Sequence, residues 1–244
     1  MIDLHCHLLP GLDDGASDLQ VALDMARIAV SDGIETIACT PHIMPGVYNN
    51  TAGEIRLAVK ALSDALLGAG VPLRLVVGAD IHVAPDLVQD LIKGAAPTLG
   101  GSRYFLLEPP HHVVPPRLFD LAFNALTSGF VPVLTHPERL SWIEHQYPLI
   151  GRMFRAGVLM QVTGGSFLGR FGPRAQYWAE RMLEEGMVDV MASDGHDSRR
   201  RRPRLAEARD RVANRTNDLT ASRIVATVPQ RILMNVLPSQ LRQP

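Results

Sequence analysis

Ile2-Asp3-Leu4-His5-Cys6-His7 places two imidazoles two residues apart in a short, mostly apolar run. Side chains alternate along an extended strand, so His5 and His7 face one side and Cys6 the other. Such a pair can chelate one ion. The same spacing recurs far down the chain in Ala192-Ser193-Asp194-Gly195-His196. Between these stretches lie further Val/Ile/Leu/Ala-rich runs, and the strands are expected at 2–6, 34–39, 73–79, 103–108, 131–135, 158–162 and 188–193. All but the run at 158–162 end in a metal-capable side chain: His5 and His7, His42 just past Thr40-Pro41, Asp80, Glu108, His136, and Asp194 with His196.

The segments between these runs have helical length and amphipathic pattern. Ser17 to Gln20 and Thr51 to Glu54 have the S/T-x-x-E/Q spacing of a capping box, so helices are expected over 18–32 and 52–68. Pro85 and Pro173 suit a first helical turn, where a missing N–H costs nothing, and predict helices over 85–93 and 173–185. Others are expected over 117–128, 147–156 and 204–215. Strand and helix alternate through about seven βα units, the pattern of a parallel α/β sheet. In an α/β barrel the C-terminal strand ends converge on one face, and that face would collect the histidines and carboxylates, with first and last strands side by side.

With 244 residues and an apolar share of 46% the chain can bury one sizeable core, and one domain over 1–244 is the default. A formal charge of -1 provides no global field toward nucleic acid or anionic lipid. Cys6 and Cys39 are too few for a disulfide framework and lie in apolar runs, which fits a reducing cytoplasm. The first residues lack a basic region followed by an apolar run, and no stretch approaches the ~18 apolar residues of a membrane span, so the chain is read as neither exported nor membrane-spanning.

A lone buried histidine at a strand end is more often structural than a ligand, but the joint arrangement of His-x-His, Asp-x-His and four further ligand types favours a metal centre. Nitrogen and carboxylate donors without thiolate suit zinc, iron or manganese. His82, His111, His112 and His145 are read as loop or surface residues, with His111 and His112 in a proline-rich loop that could overhang the site. Covalent thiolate chemistry is disfavoured, since the arginine required six residues after the cysteine is Pro45 for Cys39 and Leu12 for Cys6. Arg199-Arg200-Arg201-Arg202 begins three residues beyond His196, and Arg139 stands three beyond His136. Guanidinium groups beside metal ligands favour a phosphate substrate.

These stretches resemble the PHP (polymerase and histidinol phosphatase) superfamily, and more closely its bacterial capsule-biosynthesis (CpsB-type) protein-tyrosine phosphatases. The resemblance is carried by the His-x-His run, Asp13-Asp14-Gly15, Thr40-Pro41-His42, Gly78-Ala79-Asp80-Ile81, Thr135-His136-Pro137-Glu138-Arg139 and Ala192-Ser193-Asp194-Gly195-His196, and it spans essentially the whole chain. It implies a distorted (β/α)7 TIM-like barrel with three divalent ions, most plausibly manganese, with iron or zinc as alternatives. One ion would be held by His5, His7, Asp80 and Asp194, a second by Asp80, Glu108 and His136, and a third by Asp14, His42 and His196. Arg139 and Arg201 would bind the phosphate and act in catalysis, with Arg202 the alternative to Arg201. Asp80 stands where the family commonly has a bridging Glu, and Arg202 replaces a proline of the family run. The implied reaction is hydrolysis of phosphotyrosine by metal-bound hydroxide, on the tail of a bacterial tyrosine kinase of exopolysaccharide synthesis. A histidinol-phosphate-like phosphatase or another PHP phosphoesterase would use the same ligands, and a phosphopeptide-binding metal protein is the non-catalytic alternative. A nuclease should show a basic groove, which the sequence lacks apart from the arginine run.

Overall fold

A computed structural model describes residues 1–242. The runs Ile2–Cys6 (β1), Thr36–Cys39 (β2), His42–Ile43 (β3), Arg74–Val77 (β4), Asp80–His82 (β5), Tyr104–Glu108 (β6), Val131–Thr135 (β7), Leu159–Thr163 (β8) and Val190–Ala192 (β9) are extended. All pair in parallel, in one sheet of order β1-β2-β4 and a second of order β3-β5-β6-β7-β8-β9. Parallel sheets are covered on both faces, which is why β6, β7 and β8 are buried along their whole length. The α/β class and each expected strand are therefore present.

The single closed barrel is not. The second and third expected strands end at Cys39 and Val77, and each is followed, across Thr40-Pro41 or Gly78-Ala79, by a separate short strand, β3 or β5, that belongs to the other sheet. Pro41 has no N–H to give a ladder. Backbone bonds still cross the break, Gly78 N to Cys39 O at 3.0 Å and Asp80 N to Pro41 O at 3.1 Å. The first and last strands meet through a single bridge, Cys6 with Gly195, flanked by His7 N to Gly195 O at 2.8 Å and Asp194 N to His5 O at 2.9 Å.

Helices Leu19–Ser31 (α1), Ala52–Gly68 (α2), Leu87–Lys93 (α3), Leu118–Thr127 (α4), Ile143–Ala156 (α5), Gly164–Phe167 (α6) and Gly172–Glu184 (α7) connect the strands, and Ala206–Arg215 (α8) follows the last of them. At α2 both capping-box bonds form, Glu54 N to Thr51 Oγ1 at 3.2 Å and Thr51 N to Glu54 Oε2 at 2.9 Å. At α1 the cap is Asp18 rather than Ser17, because Asp18 Oδ1 accepts Val21 N at 3.0 Å. Helix α5 begins four residues before the expected 147: Pro148 sits inside it, and the turn that precedes it bends at Gln146. Helix α3 starts at Leu87, leaving Pro85 outside.

Two apolar clusters result. The larger packs strands against helices. The smaller joins Leu4, Ala38, Tyr104, Leu106, Val133 and Val190 to Val228, Ile232 and Leu241 of the C-terminal helices. Strand alternation puts Tyr104, Leu106 and Glu108 on one face of β6, and Leu159 and Gln161 on one face of β8. That face is apolar at its start and polar at its end, so the small cluster forms a floor beneath the polar strand ends. Among the described residues no helix is long and apolar enough to cross a membrane.

Candidate metal centre

At the C-terminal strand ends His5, His7, Asp80, His136 and Asp194 are all at least 98% buried, together with more exposed His42 and Asp14. Two of these residues have left-handed backbones, His136 at φ 34° and Asp194 at φ 51°. Such conformations are uncommon outside glycine and persist where the surroundings over-determine them. Here they turn the chain at the ends of β7 and β9 so that both side chains point back into the cluster.

Three of the rings are oriented by a bond at Nδ1, while Nδ1 of His42 and of His136 has no hydrogen-bond partner among the described residues. His5 Nδ1 lies 2.8 Å from Gln161 Oε1, and His7 Nδ1 lies 2.6 Å from Asp13 Oδ2. His196 Nδ1 lies 3.0 Å from Asp194 O. With Nδ1–H donating in each case, Nε2 is left as the lone-pair atom. Asp13 is itself locked by the N–H groups of Gly15 and His42. Gly15 has no room for a side chain, since a Cβ there would lie 2.2 Å from His7 O. Asp3, fully buried, accepts from Ser193 N at 3.0 Å and ties β1 to the turn that carries Asp194 and His196. Burial lifts its pKa to about 6 despite those bonds.

His5 Nε2 and His7 Nε2 face each other at 3.1 Å. Two lone pairs at that separation repel unless a cation or proton lies between them. Asp80 is fully buried, and neither of its oxygens accepts a hydrogen bond, although His5 Nε2 is 3.3 Å away, His42 Nδ1 3.7 Å and His136 Nε2 4.0 Å. A buried carboxylate without donors is costly. Asp14 Oδ1 stands 3.5 Å from both His42 Nε2 and His196 Nε2, and Glu108 Oε2 stands 3.1 Å from His42 Nδ1. Three or four donors come within 4.8 Å of one another in each of the groups His7-Asp14-His42-His196, His5-His7-Asp80, Glu108-His111-His136 and His42-Asp80-Glu108. Unpaired buried oxygens among convergent imidazole nitrogens are the environment divalent ions fit.

The carboxylates also shape the protonation. Burial alone would depress His5, but Asp80 and Asp194 outweigh it and raise it to about 9. His42 is likewise carried to about 10, against burial, by Glu108 and Asp80. His136 is held well below the usual range by burial and by Arg139, and His196 is lowered by burial and by His7. Glu108 and Asp194 stay ionised despite burial, because His42 and His82 surround the first and His5, His7 and the arginines surround the second. The cluster thus strongly favours positive charge between its carboxylates.

Arg139 and Arg201 reach the same oxygen, Asp194 Oδ2, from opposite loops, Arg201 Nη2 at 2.6 Å. Phe171 supports both guanidinium groups, with Arg139 4.3 Å and Arg201 5.8 Å from its ring centre. Glu138, fully buried between His136 and Arg139, accepts Thr163 N at 3.0 Å and Ser166 Oγ at 2.7 Å and so pins that turn to the end of β8. Arg202 is exposed.

All nine expected ligand positions and Arg139 with Arg201 are brought together. The expectation for His82 is corrected, since it lies in β5, 3.6 Å from Glu108 Oε2; His111 lies in the loop after β6, which overhangs the site, and belongs to a donor group with Glu108 and His136. His112 and His145 are exposed, His145 on α5. Sequence reading missed Asp13, Gln161, Glu138 and Phe171. Asp13 had a signal in its adjacency to Asp14, whereas Gln161 lies inside the one strand that carried no ligand type.

The family described as "Capsular polysaccharide synthesis, CpsB/CapC" matches residues 1–234. The chain is 36% identical over 208 residues to the "Tyrosine-protein phosphatase YwqE" of Bacillus subtilis (strain 168), covering 85% of this chain and 82% of that one. It is 26% identical over 242 residues to the "Tyrosine-protein phosphatase CpsB" of Streptococcus pneumoniae, covering 97% and 100%. A solved structure described as "Crystal structures of YwqE from Bacillus subtilis and CpsB from Streptococcus pneumoniae, unique metal-dependent tyrosine phosphatases" superposes with a TM-score of 0.93 at 33% identity, over 96% of this chain and 95% of that one.

Proposed function

The chain belongs to the CpsB/CapC family of capsular polysaccharide synthesis, and from that premise we propose that it is a metal-dependent protein-tyrosine phosphatase whose chemistry takes place on the cluster just described. One observation carries the reading: two guanidinium groups meet at Asp194 beside buried carboxylates and imidazoles that lack other partners. His5, His7, Asp80 and Asp194 would hold one ion, Asp80, Glu108 and His136 a second, and Asp14, His42 and His196 a third, with manganese the expected metal. The donor groups that form around Asp80, Glu108 and Asp14 support this division.

Bound divalent ions would supply a nucleophilic water at neutral pH and neutralise charge on the phosphoryl oxygens. The chain's own residues do the rest. Arg139 and Arg201 bind the phosphate oxygens and hold the ester in line, supported by the Phe171 ring and, for Arg139, by the anchored Glu138 turn. Asp13 and Gln161 keep Nε2 of His7 and His5 directed inward. No thiol takes part, since Cys6 and Cys39 are fully buried and burial pushes both thiols up.

We read the two sheets as one opened (β/α)7 barrel in a single domain, acting in a reducing cytoplasm on the phosphorylated tail of a tyrosine kinase of exopolysaccharide synthesis. Hydrolysis of p-nitrophenyl phosphate and of a phosphotyrosine peptide, with manganese added and then chelated, tests the reading. Turnover that follows manganese and favours phosphotyrosine over phosphoserine and histidinol phosphate supports it; no turnover with manganese, zinc or iron overturns it.

A further inference from the structure

Arginines on this molecule mostly have partners. Arg117 pairs with Asp120, Arg170 with Glu207, Arg181 with Glu185 and Arg215 with Glu184. Those without one, such as Arg56 and Arg74, stand singly. The segment 199–204 differs. Arg199, Arg200, Arg202 and Arg204 are all exposed, and among the described residues none of their side chains makes a hydrogen bond or ion pair. Four unopposed positive charges within six residues are exceptional for a chain whose net charge is -1.

Their backbone is braced. Asp197 Oδ1 accepts the N–H groups of Arg199 and Arg200, and Oδ2 accepts that of Arg201 at 3.2 Å. His196 N bonds Arg201 O at 2.8 Å. Pro203 packs so closely on Gly195 that a Cβ there would lie 3.0 Å from it. Only Arg201 turns inward, to Asp194. Arg199, Arg200 and Arg202 flank it beside the same site, whereas Arg204 precedes Leu205, whose N–H bonds Asp32 at the far end of α1. Arg199 and Arg200 also line a recess of about 680 Å³ beside Gly15, Ser17, Asp18 and Asp24. The acids there are already engaged: Asp18 caps α1, and Asp24 bonds Arg27 and Gln20.

We infer that Arg199, Arg200 and Arg202 form a basic rim that binds the acidic side chains flanking the phosphorylated tyrosine of a peptide substrate. The inference rests on the phosphatase reading of the adjoining centre. An extended peptide advances about 3.3–3.6 Å per residue, so positions two or three away lie roughly 7–10 Å along the backbone from the phosphotyrosine, and their side chains can meet arginines next to Arg201. Exposed ion pairs are individually weak and salt-screened, so the rim selects by summed attraction rather than by one contact. A phosphate-lined duplex would need a longer basic track than this short rim.

The test compares manganese-loaded wild type with the combined variant Arg199→Gln, Arg200→Gln and Arg202→Gln on three substrates: p-nitrophenyl phosphate, a phosphotyrosine peptide flanked by Asp and Glu, and the same peptide flanked by Asn and Gln. At low salt the wild type should favour the acidic peptide by about tenfold in kcat/KM, through KM, with the advantage shrinking in 0.5 M salt. The variant should lose that preference and keep wild-type turnover of p-nitrophenyl phosphate. Equal kcat/KM for the two peptides in the wild type, or an undiminished preference in the variant, overturns the rim. Loss of sedimentation with phosphatidylserine vesicles in the variant, with peptide kinetics unchanged, also overturns it and assigns the arginines to a membrane surface. If no substrate turns over, the phosphatase reading fails, and fluorescence anisotropy of the same two peptides still decides the rim.

Discussion

Asp80 and Asp189 are both buried aspartates beside parallel strands, and the fold treats them in opposite ways. Asp189, 1% exposed at the start of β9, has both oxygens occupied: Arg242 Nε and Nη2 each donate at 2.8 Å, and Met160 N at 3.0 Å. The Arg242 guanidinium also lies 3.8 Å from the centre of the Phe154 ring. Asp80, fully buried at the start of β5, accepts no hydrogen bond at either oxygen. At the lower edge of the sheet a buried charge is neutralised by the chain itself and serves stability. At the upper edge the charge is held open, which costs stability until a cation supplies what the chain does not.

Substitutions can break that contrast. Asp80→Asn should lower turnover of p-nitrophenyl phosphate by more than about a thousandfold and reduce bound manganese, measured by elemental analysis; wild-type turnover at wild-type loading would remove Asp80 from the ligands. Arg139→Ala should cost about 10²–10³-fold in kcat with manganese content unchanged, and an unaltered rate would return the arginine to a purely structural role. Asp189→Asn should leave kcat intact but destabilise the fold by about 1–2 kcal/mol, roughly 2–8 °C in Tm, since Arg242, a third exposed, loses its charged partner. Added manganese should still raise the Tm of Asp189→Asn by the wild-type increment, whereas Asp80→Asn should gain much less. Equal increments in the two variants would erase the distinction between the two aspartates. The smallest effect is expected for Gln161→Leu, with manganese affinity about 10–100-fold weaker by titration and kcat recovered at saturation.

The ligand positions were legible because strand ends in a parallel α/β fold converge, so a residue's place at the end of a run implies its neighbours. Val131–Thr135 and Ala52–Gly68 agree with expectation to the residue, since β-branched runs and a complete capping box mark their own limits. What escaped depends on partners remote in sequence. Gln161 matters only because His5 lies opposite it, and Phe171 only because two loops lay their arginines on it. The helical segments between Asp218 and Leu241 were missed because Pro229 and Pro238 cut the apolar pattern into pieces too short to show a period. Their role as the floor under the sheet is set by burial of Val228, Ile232 and Leu241. The short strands β3 and β5 were equally hidden, because two or three residues are too few to show a period.

The junction of β1 with β9 rests on Cys6 and Gly195 and on bonds from His7 and Asp194. Those four residues either belong to the metal centre or sit within it, so the reacting core doubles as the clasp between the chain's first and last strands. A filled centre would therefore also fasten the opening of the fold to its last strand.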